Sequence, residues 1–152
     1  MTVQSVDALP DLYLRDETQW LDIMSRLAGE GRIDELDLPH LAEYLSDMAH
    51  RDRREVQSWL VVLITHRLKW EYQPERRSRS SRSTVIEQRQ ELDSLAGGGV
   101  LRRHAEDVLA KAYQDAVERA AAETGLAAVL FPSVCPYTFD GLLVTDLKAE
   151  SD

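Results

Sequence analysis

From Leu101 to Ala120 apolar residues return every three or four positions without a break, through Ala105, Val108, Leu109, Ala112 and Ala116. A period of 3.6 places them on one face of an α-helix and is incompatible with the alternation of a strand. Gly125 follows as the residue that ends the run in a left-handed turn. Its alanines carry little bulk, so a second helix can come close on that side.

The same period recurs upstream. Asp16, with Gln19 three residues on, caps a helix whose inner face is Trp20, Ile23, Met24 and Leu27, and Gly29 and Gly31 end it. Asp37 and Pro39 open a second, with Leu38, Leu41, Leu45 and Met48 as its stripe and a stop near His50. Asp52 and Glu55 form a capping-box signature for a third, running from Val56 to Trp70. Between Trp59 and Ile64 it is apolar on nearly all sides, which makes it the central helix. Pro74 breaks the pattern, and residues 73–80 read as a connection. A fourth helix turns Val85, Gln88, Leu92 and Leu95 inward and stops at Gly97, Gly98 and Gly99. After Pro132 and Pro136 the tail closes with a helical turn from Thr138 to Leu143. The expected fold is all-α: a mostly antiparallel bundle of about five helices with a packed C-terminal tail. The 152 residues suit one domain, with 1–15 and 145–152 weakly ordered.

Composition excludes several classes. A hydrophobic fraction of 43% and a charged fraction of 30% fit a globular chain rather than a disordered one. The longest apolar runs fall well short of the ~20 residues of a membrane span. No basic start followed by an apolar stretch marks a leader, and the lone Cys135 has no intramolecular disulfide partner, so a soluble, cytoplasmic protein is expected. His40, His50, His66 and His104 show no metal-binding spacing and no cofactor motif is present, so neither a metal nor a cofactor is expected. Cys135 lacks a basic neighbour to lower its pKa and reads as a packing residue.

The net charge of −9 is unevenly laid out. Residues 51–103 hold 12 of the 18 basic residues and 7 of the 27 acids, a cationic middle between acidic flanks. Its most distinctive part is Leu68-Lys69-Trp70-Glu71-Tyr72-Gln73-Pro74-Glu75-Arg76-Arg77-Ser78-Arg79-Ser80-Ser81-Arg82, with four arginines in seven residues, interleaved serines and no acid between Glu75 and Glu87. Guanidinium forks, hydroxyls and the free N–H groups of a helix start suit an anion, phosphate above all. The same arginines also suit the acids Asp34, Glu35, Asp37, Glu43 and Asp47, to which they would pin the corner. Trp70 and Tyr72 read either as core anchors or as stacking platforms for a base.

The candidate binding residues are therefore Trp70, Tyr72, Glu75, Arg76, Arg77, Arg79 and Arg82, with no catalytic set. The leading functional expectation is a non-enzymatic module presenting this corner to a protein partner or to a second copy of itself. The alternatives are binding of a nucleic acid or phosphate ligand, the former disfavoured by net charge, and a small enzyme with a pocket near His66.

Tyr13-x-x-Asp16-x-x-x-Trp20, Asp34-Glu35-Leu36-Asp37, Leu68-Lys69-Trp70-x-Tyr72-Gln73-Pro74-Glu75-Arg76-Arg77-Ser78, Glu87-Gln88-Arg89, Glu123-Thr124-Gly125-Leu126 and Cys135-Pro136-Tyr137-Thr138 together resemble a family of small bacterial proteins, domain of unknown function twenty-nine. The resemblance runs from about Tyr13 to Leu143. It implies an all-helical fold and carries no established activity or catalytic residues.

Overall fold

The computed structural model describes residues 8–144 and residue 147. Six α-helices account for most of them: α1 Leu9–Arg15, α2 Glu17–Gly29, α3 Leu38–Tyr72, α4 Arg79–Ala96, α5 Gly99–Thr124 and α6 Phe139–Val144. Short 3-10 turns lie at Ile33–Glu35, Pro74–Arg76 and Ala128–Leu130, and there is no strand among the described residues. The protein is an all-α bundle. Among the described residues, no helix is long and apolar enough to cross a membrane. By density of contact the chain divides into two compact units, residues 1–50 and 51–152, and α3 begins in the first and ends in the second.

In the first unit, Leu9, Leu12, Tyr13, Trp20, Met24 and Leu27 form a buried cluster. Asp16 caps α2 as its sequence position predicts, accepting a hydrogen bond from the Gln19 amide at 3.1 Å. The indole N–H of the fully buried Trp20 donates to Asp37 Oδ2 at 3.1 Å, and His40 Nδ1 meets the same oxygen at 2.8 Å. Tyr13 stacks on His40 with ring centroids 4.4 Å apart. The weakly ordered lead expected through residue 15 is replaced over its described part by α1. That helix starts with Pro10 in its first turn and buries Leu9, Leu12 and Tyr13. Seven residues are too few for periodicity to reveal. Of the C-terminal end expected to be loose, Leu147 is described and is buried in the core of the second unit, and the remainder of both ends lies outside the described residues.

The second correction concerns the break expected between His50 and Asp52, where α3 runs on without interruption. No glycine or proline occurs from Leu41 to Gln73, and alanine and arginines at the junction favour helix. Asp52, half-buried, and Glu55, exposed, lie inside that helix and start none. Of the stripe expected on the first half of α3, Leu41 and Met48 are half-buried while Leu38 and Leu45 stay exposed.

The second unit is built on the C-terminal half of α3, where Val56, Leu60, Leu63, Ile64 and Leu68 are fully buried. They share one core with Leu92 of α4, Ala105, Ala112, Tyr113, Ala116 and Ala120 of α5, and Phe139 and Leu142 of α6. Ala105, Ala112, Ala116 and Ala120 on the inner face of α5 are wholly covered, as its alanine-rich period predicts. Gly125 ends α5 at φ 74°, its N–H bonded to the Ala121 carbonyl at 2.9 Å.

Candidate functional site

Where α3 gives way to α4 the chain lines an open cavity of about 510 Å³, within the range of small-ligand sites. The end of α3 supplies His66, Lys69 and Trp70. The connecting turn supplies Gln73, Arg76 and Arg77, the start of α4 supplies Ser78, Ser80, Ser81 and Thr84, and the end of α5 supplies Glu123. All of these belong to the second unit.

Local chemistry explains the turn. Pro74 prevents α3 from continuing, and a single 3-10 turn carries the chain to Ser78, the N-cap of α4. The Ser78 hydroxyl accepts from the Ser81 amide at 3.0 Å while the Ser81 hydroxyl accepts from the Ser78 amide at 2.9 Å. This reciprocal box satisfies two backbone donors at once. Arg79 and Arg82, expected in or beside a loose connection, therefore stand on the first turns of α4.

The basic groups are held differently. Arg77, half-buried, donates through Nε to the Trp70 carbonyl at 2.8 Å and places its guanidinium 5.2 Å from the Trp70 ring centre. Lys69 pairs with Glu123 at 3.0 Å, a contact spanning 54 positions of sequence. Arg76 is exposed and, among the described residues, has no carboxylate partner; the same holds for Arg79, which lies outside the cavity wall. Glu35 and Asp37, offered by the sequence as partners for these arginines, are engaged by Arg32 and by Trp20 and His40. Glu75 is exposed and Arg82 half-buried, and neither lines the cavity.

The aromatics are anchors. Trp70 is 8% exposed, and Tyr72 meets Phe131 edge-on with centroids 4.9 Å apart and packs against the core. His66 is half-buried in the cavity wall, and burial, then the Lys69 ammonium, hold its pKa below the ordinary histidine value, with Glu123 opposing. No hydrogen bond joins it to Ser78, Ser81 or Thr84, whose hydroxyls serve the cap and, for Thr84, the Ser80 carbonyl at 3.0 Å.

Reading the sequence identified Trp70, Arg76 and Arg77 of this wall as site residues and His66 as a neighbour. Lys69, Gln73, Ser78, Ser80 and Ser81 lie within the stretch that the sequence marks as anion-binding without being among its named candidates, and Thr84 and Glu123 lie outside it. Ser78 and Ser81 carry a usable signal, since serine three residues from serine before an apolar period marks a helix start. Glu123 carries none.

A second polar cluster lies nearby in sequence. Arg67, 7% exposed as a residue, pairs through its guanidinium with Glu71 at 3.2 Å and places it 5.3 Å from the Tyr137 ring centre. Tyr137 in turn donates to Glu71 at 3.0 Å. Cys135 is half-buried with its thiol pKa pushed up by burial, a packing environment and not one for a nucleophile. Among the described residues, no three His, Cys, Asp or Glu side chains are placed to hold a metal ion.

No curated protein and no solved structure matches the chain. The family model Domain of unknown function DUF29 matches residues 12–147, nearly the whole chain, and the protein belongs to that family.

Proposed function

We propose that the cavity between α3 and α4 binds a small ligand through a phosphate group. The observation that carries this reading is Arg76: an exposed guanidinium on the wall of a concave site, with no carboxylate partner among the described residues. Lys69 and the hydroxyl and amide of Ser80, which the Ser78–Ser81 cap does not use, add donors suited to phosphate oxygens. Charge distribution supports it too. Residues 1–50 hold 3 basic and 11 acidic residues, whereas residues 51–152 hold 15 and 16, so the unit containing the cavity is almost neutral. The test is calorimetric titration of the full chain with inorganic phosphate and pyrophosphate at low salt. Saturable binding that weakens with added salt and is lost in Arg76→Gln is expected. Absence of binding at low salt, where anion contacts are strongest, overturns the reading.

A protein-partner role, possible for the same corner from its sequence, is a second reading favoured by a separate observation. Val129, Leu130 and Val134 are 89%, 56% and 76% exposed on the segment between α5 and α6. Light scattering after size exclusion, with these three changed to serine, tests self-association; a monomer at every concentration counts against it. Nucleic-acid binding has less support, because Trp70 and Tyr72 are engaged in packing. Catalysis by His66 has less support, because the neighbouring hydroxyls are taken up by the cap. A cytoplasmic location accords with the single half-buried cysteine.

A further inference from the structure

Resting on the phosphate reading above, we infer that Glu123 is an internal competitor for the ligand: its carboxylate engages Lys69 from the cavity wall, and a phosphate group binds by taking its place. Three observations lead there. First, the Lys69–Glu123 contact is not the incidental pairing of neighbours on one helix, such as Lys111 with Asp115 or Arg102 with Glu106. It joins residues 54 apart and lies within the site.

Second, Glu123 stands where a carboxylate is disfavoured by its own helix. It is the penultimate residue of α5, where the unpaired carbonyls make the helix end negative and disfavour a carboxylate. Lys69 is its compensation. Third, the pair is easily exchanged: the two side chains are 33% and 49% exposed, so solvent screens their attraction and little is lost on parting. A phosphate dianion brings more charge and several acceptor oxygens, and so engages Lys69 and Arg76 together where one carboxylate engages Lys69 alone. The device sets a charge threshold. A weak monoanion such as acetate exchanges one carboxylate for another and gains nothing, whereas a phosphate group displaces Glu123.

The competing explanation is that the pair only staples the end of α5 to α3. A double-mutant cycle on the full chain separates the two, using wild type, Glu123→Gln, Lys69→Gln and the double variant, each titrated calorimetrically with inorganic phosphate and with acetate. Circular dichroism confirms that each remains folded. Glu123→Gln is expected to bind phosphate about fivefold more tightly, the equivalent of one exposed ion pair. In the Lys69→Gln background the same change is expected to alter affinity by less than about twofold, because no ammonium is left to compete for. Equal or weaker phosphate binding by Glu123→Gln overturns the competitor role while leaving the phosphate site standing. A gain that persists undiminished without Lys69 also overturns it, reducing Glu123 to a background charge. Failure of all four proteins to bind phosphate refutes the site itself, and this inference with it.

Discussion

Truncating Arg77 to alanine should destabilise the second unit without the need for any ligand. The Trp70 carbonyl belongs to the last turn of α3, whose carbonyls have no acceptor role left within the helix, and Arg77 Nε fills that role at 2.8 Å. A hydrogen bond from a charged donor contributes about 1.5–3 kcal/mol, and a guanidinium near a Trp face about 0.5–1 kcal/mol when partly exposed. Arg77 is half-buried and water can reach the carbonyl once the side chain is gone, so the lower ends apply. Their combination, about 2 kcal/mol, corresponds to a fall in Tm of about 4–8 °C for a chain of this size. Arg77→Lys keeps the charge but loses the flat group and the Nε donor, and should lose about half as much. Urea denaturation followed by tryptophan fluorescence and far-UV circular dichroism reads both variants. If Arg77→Ala unfolds within about 0.5 kcal/mol of wild type, the arginine is not a clamp on the corner, and the reasoning from its geometry fails.

Three further perturbations test other parts of the structure. Arg51→Pro, in the middle of a continuous α3, should cost about 3 kcal/mol or more by urea denaturation, whereas a junction between two helices would tolerate it. Asp37→Ala leaves the fully buried Trp20 indole N–H without its acceptor and should cost about 1–3 kcal/mol. Adding Trp20→Phe should recover part of that loss; no recovery would mean that Asp37 acts chiefly through His40. His66 has a folded pKa below its ordinary 6.5, so the unfolded chain takes up that proton more readily. Its contribution to stability is complete above that value and declines as pH falls through it towards the folded pKa. His66→Gln should flatten this segment of a stability–pH curve, and an unchanged slope would contradict the assignment.

Much of the helical framework is written in residues whose effect is local. Asp16 caps α2 and Gly125 terminates α5 because each acts on neighbours within one turn, and the alanine face of α5 is buried as its period requires. Where the sequence misled, two local signals competed. Asp52 and Glu55 have the spacing of a helix start, but nothing before them stops the helix already under way, and elongation is easier than a new nucleation. Leu9–Arg15 was hidden because a helix of two turns owes its existence to burial against Trp20 and Met24. The arginine corner stood out in the chain, since four cations in seven residues need no partner to be noticed. The wall it forms did not. Lys69 meets Glu123 across 54 residues, and only the packing of α3 beside the end of α5 brings them together. Trp70 and Arg77 are seven apart, yet their stacking depends on the turn that Pro74 imposes.

The most direct examination of the phosphate site is a nuclear magnetic resonance titration of isotopically labelled protein with inorganic phosphate, following backbone amides and arginine Nε–H groups together. The Arg76 Nε–H and the amides of Ser80 and Ser81 should shift in a saturable way with one common affinity, while the amides of residues 8–50 stay still. Shifts that are unsaturable and scattered over basic side chains, or saturable shifts centred away from the α3–α4 turn, would contradict a phosphate site at this corner.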